Sequence, residues 1–195
     1  MQSNIDLLSG SRASLSGQWL PAIGAFLVVG ILSSIGSTIS AGILPLILAG
    51  PFGVGQSKYF LAISRGEQPP FEDIFSGFHQ FVRAMAIGLL TALAVGIGTL
   101  LLIIPGIIAG VGLSMAYYIA LDRPELEAPD VLKASWELVW KGGHFWKVFG
   151  FALLAALLTL LGLLCFGVGV LFTTPMILVG QARLYDELRS SEVVF

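Results

Sequence analysis

The chain has 195 residues, of which 56% are hydrophobic and only 11% are charged, and its formal net charge is -2. Soluble domains carry about 25% charged residues, so this chain has too few charges to cover a water-facing surface. The net charge provides no basic surface for nucleic acid, and the single cysteine, Cys165, excludes an intramolecular disulfide. Composition therefore excludes a soluble enzyme, a secreted disulfide-stabilised protein and a nucleic-acid-binding protein. It favours an all-α integral membrane protein.

The charged residues leave three long uncharged blocks, at residues 13–57, 84–121 and 148–182. One helical crossing of a bilayer needs roughly 20 apolar residues, so each block is too long for one crossing and suits two. With two crossings per block, all 10 lysines and arginines lie on one side of the membrane. An excess of positive charge marks the cytoplasmic side. We therefore expect six transmembrane helices in the inner (cytoplasmic) membrane, with cytoplasmic N and C termini.

The apolar runs predict three hairpins, at about residues 19–64, 80–121 and 145–188, in a single membrane domain covering residues 1–195. The six helices are expected at about Trp19–Ser40, Gly42–Ser64, Gln80–Ile103, from a Pro105-Gly106 turn to Leu121, Phe145–Phe166 and Val170–Leu188. Pro45 and Pro51 are expected to bend the second helix, and Gly167-Val168-Gly169 to join the last two. A cleaved signal peptide is not expected, because its removal would leave an odd number of crossings.

Two charged segments, residues 65–80 and 122–144, connect the hairpins. In the second segment, apolar residues recur with helical spacing on one side of a predicted helix, and polar residues recur on the other side. The apolar side holds Val131, Leu132, Trp136, Val139 and Trp140, and the polar side holds Asp130, Lys133, Glu137 and Lys141. An amphipathic helix with two tryptophans is predicted to lie in the membrane interface, from Pro129-Asp130 to Gly142-Gly143. Residues 71–78 are expected to form a similar interfacial segment that is shorter and less completely amphipathic.

Short sequence patterns recur along the chain. Residues 54–58 read VGQSK and residues 179–183 read VGQAR, while residues 111–114 read VGLS in the second hairpin. YFLAISRGE at residues 59–67 is followed 58 residues later by YYIALDRPE at residues 117–125. We interpret these matches as three pseudo-repeated hairpins whose second helices approach a common centre. Chance matches in low-complexity apolar sequence are the alternative.

Five segments carry a family resemblance. They are RGEQPPFEDIFSGF at residues 65–78, the Pro105-Gly106-Ile107 turn, SMAYYIALDRPEL at 114–126, KASWEL at 133–138 and LYDEL at 184–188. In this order they resemble the bacterial domain-of-unknown-function 975 membrane family, which is similar to the membrane domain of some glycerophosphoryl diester phosphodiesterases. The resemblance implies six membrane helices and no catalytic residues, because the phosphodiesterase chemistry belongs to a separate domain. One departure is Thr174-Pro175-Met176, where an aromatic residue is expected after the proline.

Two polar pairs stand within the predicted membrane helices, Gln56 with Lys58 and Gln181 with Arg183. If the repeats are related by symmetry, these four residues converge on a vestibule that opens to the cytoplasm. There they would bind a lipid headgroup or a small anion through charge-assisted hydrogen bonds. The alternative is that Lys58 and Arg183 extend to the lipid headgroups without binding a specific ligand.

Other polar groups give weaker signals. His79 and His144 have no cysteine or carboxylate at ligand spacing, so we expect interfacial packing and no metal site. The carboxylates lie outside the uncharged blocks and no catalytic motif is present, so we expect no enzyme activity and no cofactor. Tyr117 and Tyr118 are expected in an aromatic belt. Small residues, including the GxxxG pair Gly106 and Gly110 together with Gly24, Gly30, Ser33, Ser37 and Ser40, should allow close helix packing within the chain or between copies.

Three functions remain open at this point. The first is a non-catalytic membrane protein that binds or transports a lipid headgroup or small anionic solute at a central site. The second is a scaffold or accessory subunit that docks a partner through its cytoplasmic helices, with Trp136 and Trp140 as contact residues. A membrane-embedded lipid enzyme is disfavoured, because convergent polar groups are missing. Membrane lipids are the expected partners, together with further copies of the chain or another membrane protein.

Overall fold

The computed structural model describes residues 2–40, 43–164 and 167–192, and every regular element in these ranges is helical. The elements are α1 (Asn4–Ser14), α2 (Trp19–Ser40), α3 (Ile43–Ser64), a 3-10 segment (Phe71–Gln80), α4 (Phe81–Leu101), α5 (Ile103–Leu113), α6 (Ala116–Asp122), α7 (Ala128–Trp140), α8 (Phe145–Leu164) and α9 (Val168–Glu192). Gly42, Cys165 and Phe166, which figure in the sequence predictions, lie outside the described residues. The prediction of an all-α protein is confirmed.

In the part of the chain that the structure describes, five stretches of helix are long and apolar enough to cross a membrane. They are Trp19–Thr38, Phe71–Leu101, Ile103–Asp122, Phe145–Leu164 and Val168–Ser191. Within the described residues α3 is not among them, although it has 22 residues, because Gln56, Ser57 and Lys58 lower its hydropathy. Helix α3 packs against α2, α4, α6, α9 and the 3-10 segment, so much of its surface faces protein where the other helices would face lipid.

Successive long helices pack in pairs, α2 with α3, α4 with α5 and α8 with α9. The predicted turn at Pro105-Gly106 is wrong, because the chain turns at Leu102, whose backbone is extended (φ -162°, ψ 145°). Pro105 is the third residue of α5, where a backbone N–H has no partner within the helix, so proline costs no hydrogen bond there. Between α8 and α9 the chain reverses at Gly167, whose φ of 75° favours glycine.

Glycines allow the two helix backbones to approach closely next to the turn in two of these pairs. A Cβ atom at Gly98 of α4 would lie 3.0 Å from the Cα atom of Gly106 of α5, and a Cβ at Gly162 of α8 would lie 3.0 Å from the backbone of Gly169. Gly106 of the GxxxG pair therefore serves packing within the chain. Gly110 has no atom within 4 Å of its Cβ position, so the pair does not form one helix-packing surface.

Helix α1 was not predicted from the sequence. Its start is fixed by a capping box, in which the Ser3 hydroxyl accepts from the Asp6 N–H and the Asp6 carboxylate accepts from the Ser3 N–H. Leu7, Leu8 and Ser11 are buried, and the helix packs against α3, α8 and α9. A serine followed three residues later by an acidic residue is a recognisable start signal, so this helix could have been found.

The charged end of the bundle is held together by ion pairs that converge on the last turns of α9. Asp186 accepts two hydrogen bonds from Arg65 (3.1 and 2.7 Å), and these raise the pKa of that guanidinium above its usual value. The Lys147 ammonium lies 2.6 Å from the Glu187 carboxylate. Asp122 accepts from Tyr185 (2.7 Å) and Arg189 (2.6 Å). The LYDEL segment thus ties the end of α3, the end of α6 and the start of α8 to α9.

Helix α7 occupies residues close to those predicted for the amphipathic helix. It begins one residue before Pro129 and ends at Trp140, and Gly143 follows with a φ of 70°. Val131 and Val139 are fully buried, whereas Asp130 and Lys133 are exposed. Its Glu137 is hydrogen-bonded by Lys141 at 2.7 Å, which lowers the pKa of that carboxyl. One side of α7 therefore packs on the bundle and the other faces outward.

Candidate functional site

A cavity of about 280 Å³, lined by both polar and apolar residues, lies between α3, α4, α5, α6 and α9. It is lined by Gly53, Gln56, Ser57, Thr91, Gly110, Leu113, Ser114, Tyr117, Tyr118, Leu178 and Gln181. Two of the four predicted ligand-binding residues, Gln56 and Gln181, therefore lie at the same cavity. We call this the amide cavity.

The three copies of the VG pattern contribute equivalent positions to the amide cavity. Aligning VGQSK, VGLS and VGQAR places Gln56, Leu113 and Gln181 in one column, and all three line the cavity. The residues three positions earlier, Gly53, Gly110 and Leu178, line it as well. Residues from all three VG segments therefore lie around one cavity.

The glycine of each VG pattern faces away from this cavity and carries a flanking helix. A Cβ at Gly55 would overlap the Ile74 carbonyl of the 3-10 segment, and a Cβ at Gly112 would lie 2.5 Å from the Trp136 ring of α7. A Cβ at Gly180 would lie 3.0 Å from the Phe151 ring of α8 and 3.2 Å from Leu8 of α1. Each of these glycines therefore lies where a neighbouring segment packs closely on its helix.

The helix that was predicted to run unbroken to Leu121 is interrupted at the cavity. Helix α5 ends at Leu113 and α6 begins at Ala116, so backbone carbonyls near Ser114 lose their usual helical partners. The Gln181 side-chain amide donates to the Ser114 carbonyl at 3.1 Å, and the buried Ser135 hydroxyl of α7 donates to the Gly112 carbonyl at 2.9 Å. Side chains from α9 and α7 thus replace helical hydrogen bonds, as an irregular backbone within a membrane requires.

Hydroxyl and amide groups give the amide cavity its chemistry. Of the described residues that line it, none is charged. Serine, threonine and tyrosine hydroxyls and the glutamine amides can both donate and accept hydrogen bonds. The Thr91 hydroxyl oxygen is buried and has no hydrogen-bond partner. The arrangement suits an uncharged ligand with several hydroxyl or amide groups, because a charged ligand would be desolvated without a counter-charge.

The two predicted cations lie elsewhere. Lys58 pairs with Asp73 of the 3-10 segment at 2.7 Å and lines a different cavity with His79 and Arg83. Arg183 lines a third cavity, beside α1. At 3.6 residues per turn, positions two apart on a helix point about 200° apart, so Lys58 cannot share a face with Gln56. The prediction that all four residues form one vestibule is not met in this arrangement.

The structure also gives the positions of the tryptophans and histidines that were singled out in the sequence. Trp136 and Trp140 are 40% and 38% exposed and stack at 5.5 Å, and Trp140 stacks on Phe145 at 4.4 Å. His79 is exposed, whereas His144 is buried, with its Nδ1 3.0 Å from the Leu138 carbonyl. No group of three histidine, cysteine, aspartate or glutamate residues capable of holding a metal ion occurs within the described ranges.

Sequence reasoning missed several residues of this site. Tyr118, expected in an aromatic belt, is 3% exposed and lines the cavity with Tyr117. Thr91 was not singled out, and Ser114 was noted only as part of the VGLS and SMAYYIALDRPEL segments. Arg83 was also missed, although its guanidinium donates to three backbone carbonyls, those of Ala120, Arg123 and Leu126. That arginine holds the connection between α6 and α7.

No family model, curated protein or solved structure matches the chain. The resemblance to the domain-of-unknown-function 975 family therefore stays a prediction, and the functional argument depends on the cavities themselves.

Proposed function

We propose that this chain is a non-catalytic multi-pass membrane protein that binds a small uncharged polar solute, or the hydroxyl-bearing part of a lipid headgroup, in the amide cavity and allows it to pass. The observation that carries the proposal is the position of an uncharged polar cavity at a broken helix. Membrane transporters commonly build their binding sites at discontinuous helices near the interface of internal repeats. Polar side chains facing the inside of a membrane bundle are expensive and are typically functional.

The proposal includes a topology. Helix α3 crosses the membrane as a sixth span, since it pairs with α2 and its polar residues face the amide cavity and neighbouring helices. The ion-paired end of the bundle is cytoplasmic, because every lysine and arginine lies in or next to the segments at that end. The three hairpins descend from one ancestral hairpin, which accounts for the equivalent residues around the amide cavity and the three flanking helices.

Loss of the two glutamines tests the proposal directly. We expect wild-type protein in proteoliposomes to accelerate glycerol equilibration, followed by light scattering after an osmotic step. The Gln56→Leu/Gln181→Leu variant should slow this flux about ten-fold or more, since two hydrogen bonds of about 1 kcal/mol each are removed. Gln68→Leu, on an exposed loop away from the cavity, should leave the flux unchanged.

Folding must be checked in the same samples, because Gln181 also binds the Ser114 carbonyl. Monodisperse elution and a cooperative thermal transition would show that the double variant is folded. Wild-type flux no faster than that of empty vesicles, or unchanged flux in the folded double variant, would contradict the proposal.

A second candidate function is docking of a membrane-protein partner on α7. Two tryptophans of α7 remain more than a third exposed, and the neighbouring Trp146 is 77% exposed. Lipid at the membrane interface accounts for such exposure as well as a protein partner does. The two functions should be lost through substitutions at different residues. Docking requires a Trp136→Ala/Trp140→Ala variant to lose function while the glutamine variant keeps it.

A further inference from the structure

A second polar cavity lies at the charged end of the bundle, between α1, the end of α3 and the last turns of α9. Its volume is about 330 Å³, and it is lined by Gln2, Leu7, Ser64, Arg183, Asp186, Glu187 and Ser190. It shares no lining residue with the amide cavity. An inference about this cavity therefore does not depend on the proposed function.

Arg183 supplies the excess charge of this cavity. Both oxygens of Asp186 accept hydrogen bonds from Arg65, and one oxygen of Glu187 accepts from Lys147 (2.6 Å) and from the Gln2 N–H (2.7 Å). Each carboxylate that lines the cavity is therefore paired with a cation that does not line it. Among the described residues, the charge that remains is the positive charge of the Arg183 guanidinium.

The Arg183 guanidinium also has an unused donor. Its Nη1 nitrogen is buried and has no hydrogen-bond partner. A buried charged donor without an acceptor is costly, and a ligand oxygen that reached it would remove that cost. The aligned residue of the first VG pattern, Lys58, differs in this respect, because it pairs with Asp73 at 2.7 Å. The same position in two repeats therefore holds a paired cation in one and an unpaired buried donor in the other.

We propose that Arg183 binds a phosphate group in the cavity between α1, α3 and α9. A guanidinium presents a planar set of donors that matches two oxygens of a phosphate. The Gln2 side-chain amide lines the same cavity and can add a donor. The hydroxyls of Ser64 and Ser190 now donate to the Leu61 and Glu187 carbonyls and can rotate to donate to the ligand. The phosphate is that of a phospholipid headgroup or of free phosphate, which share this chemistry.

The test is phosphate-dependent stabilisation of the full chain. Inorganic phosphate, titrated at constant ionic strength into protein in an uncharged detergent, is expected to raise the apparent Tm if free phosphate binds. Phosphatidylglycerol titrated into the same uncharged, phosphate-free detergent provides the lipid arm. A rise in either arm supports the site and identifies the source of the phosphate.

Three variants decide whether Arg183 is responsible. Arg183→Gln should weaken the phosphate or phosphatidylglycerol response about ten-fold or more, whereas Lys58→Gln should leave it unchanged. Gly10→Ala retains the arginine but places a methyl group on the guanidinium position, so it should weaken the response as well. Without ligand, Arg183→Gln should be at least as stable as wild type, since a buried unpaired donor is removed.

Two results would overturn the proposal. One is the absence of any phosphate-dependent or phosphatidylglycerol-dependent rise in wild-type Tm. The other is an equal rise in wild type and in folded Arg183→Gln. Neither result bears on glycerol flux through the amide cavity, so failure of this site and failure of the proposed function are distinguishable.

Discussion

Replacing Lys147 with methionine is expected to destabilise the protein by about 3 kcal/mol at neutral pH. The Lys147 ammonium lies 2.6 Å from the Glu187 carboxylate, and the two side chains are only 14% and 17% exposed. Methionine keeps the aliphatic packing but removes the lysine ammonium from a largely buried carboxylate. The loss of a partner from a buried ion pair costs far more than the loss of one from an exposed pair. Unfolding by SDS in mixed micelles measures the difference.

The chain provides its own control for that substitution. Lys141 pairs with Glu137 one helical turn away at 2.7 Å, but its side chain is 75% exposed. Lys141→Met should therefore leave the stability almost unchanged. Adding Glu187→Gln to Lys147→Met should recover part of the loss, because the largely buried charge that lost its lysine is removed. Equal effects of Lys147→Met and Lys141→Met would contradict the buried ion pair.

Gly88→Ala is expected to cost about 2 kcal/mol, since it inserts a methyl group where two helix backbones meet. A Cβ at Gly88 of α4 would lie 2.6 Å from both the Cα and the N atom of Gly50 in α3. Backbone atoms cannot rotate away as a side chain can, so the two helices must separate. The same mixed-micelle unfolding experiment measures the cost.

Gly96→Ala is the matched control for that change. Gly96 belongs to the same helix, but no atom lies within 4 Å of its Cβ position. Alanine is also the better helix former, so Gly96→Ala should leave the stability unchanged or slightly higher. A loss at Gly96 as large as that at Gly88 would contradict the assigned contact between α3 and α4.

The all-α architecture and the long apolar helices were predictable because hydropathy is a property of the chain itself. The recurring VGQ pattern also predicted that Gln56 and Gln181 converge, and both line the amide cavity. The grouping of Gln56 with Lys58 followed sequence proximity and overlooked the 3.6-residue helical period, which separates positions two apart. The correct grouping was available from the sequence through that period.

Other features could not be predicted because they depend on contacts between distant residues. Nothing near Ser114 marks a helix break, since neither proline nor glycine stands between Leu113 and Ala116. The break is stabilised by Gln181, 67 positions away. Which glycines touch another helix depends on how each helix is rotated in the bundle. Gly30 was singled out yet has no atom within 4 Å of its Cβ position, whereas Gly88 was not and contacts Gly50.

Water access to the amide cavity is the most direct test of the central claim. In a Cys165→Ala background, Gly110→Cys places a thiol at the cavity, where no atom lies within 4 Å of its Cβ position, and Ile107→Cys places one on the outer face of the same helix, where the native side chain is 48% exposed. Thiols react as thiolates, which form in water and not in lipid. In native membranes, Gly110→Cys should react with a charged methanethiosulfonate reagent about ten-fold faster than Ile107→Cys, and glycerol should slow the reaction. Equal rates at the two positions would contradict a water-accessible polar cavity inside the bundle.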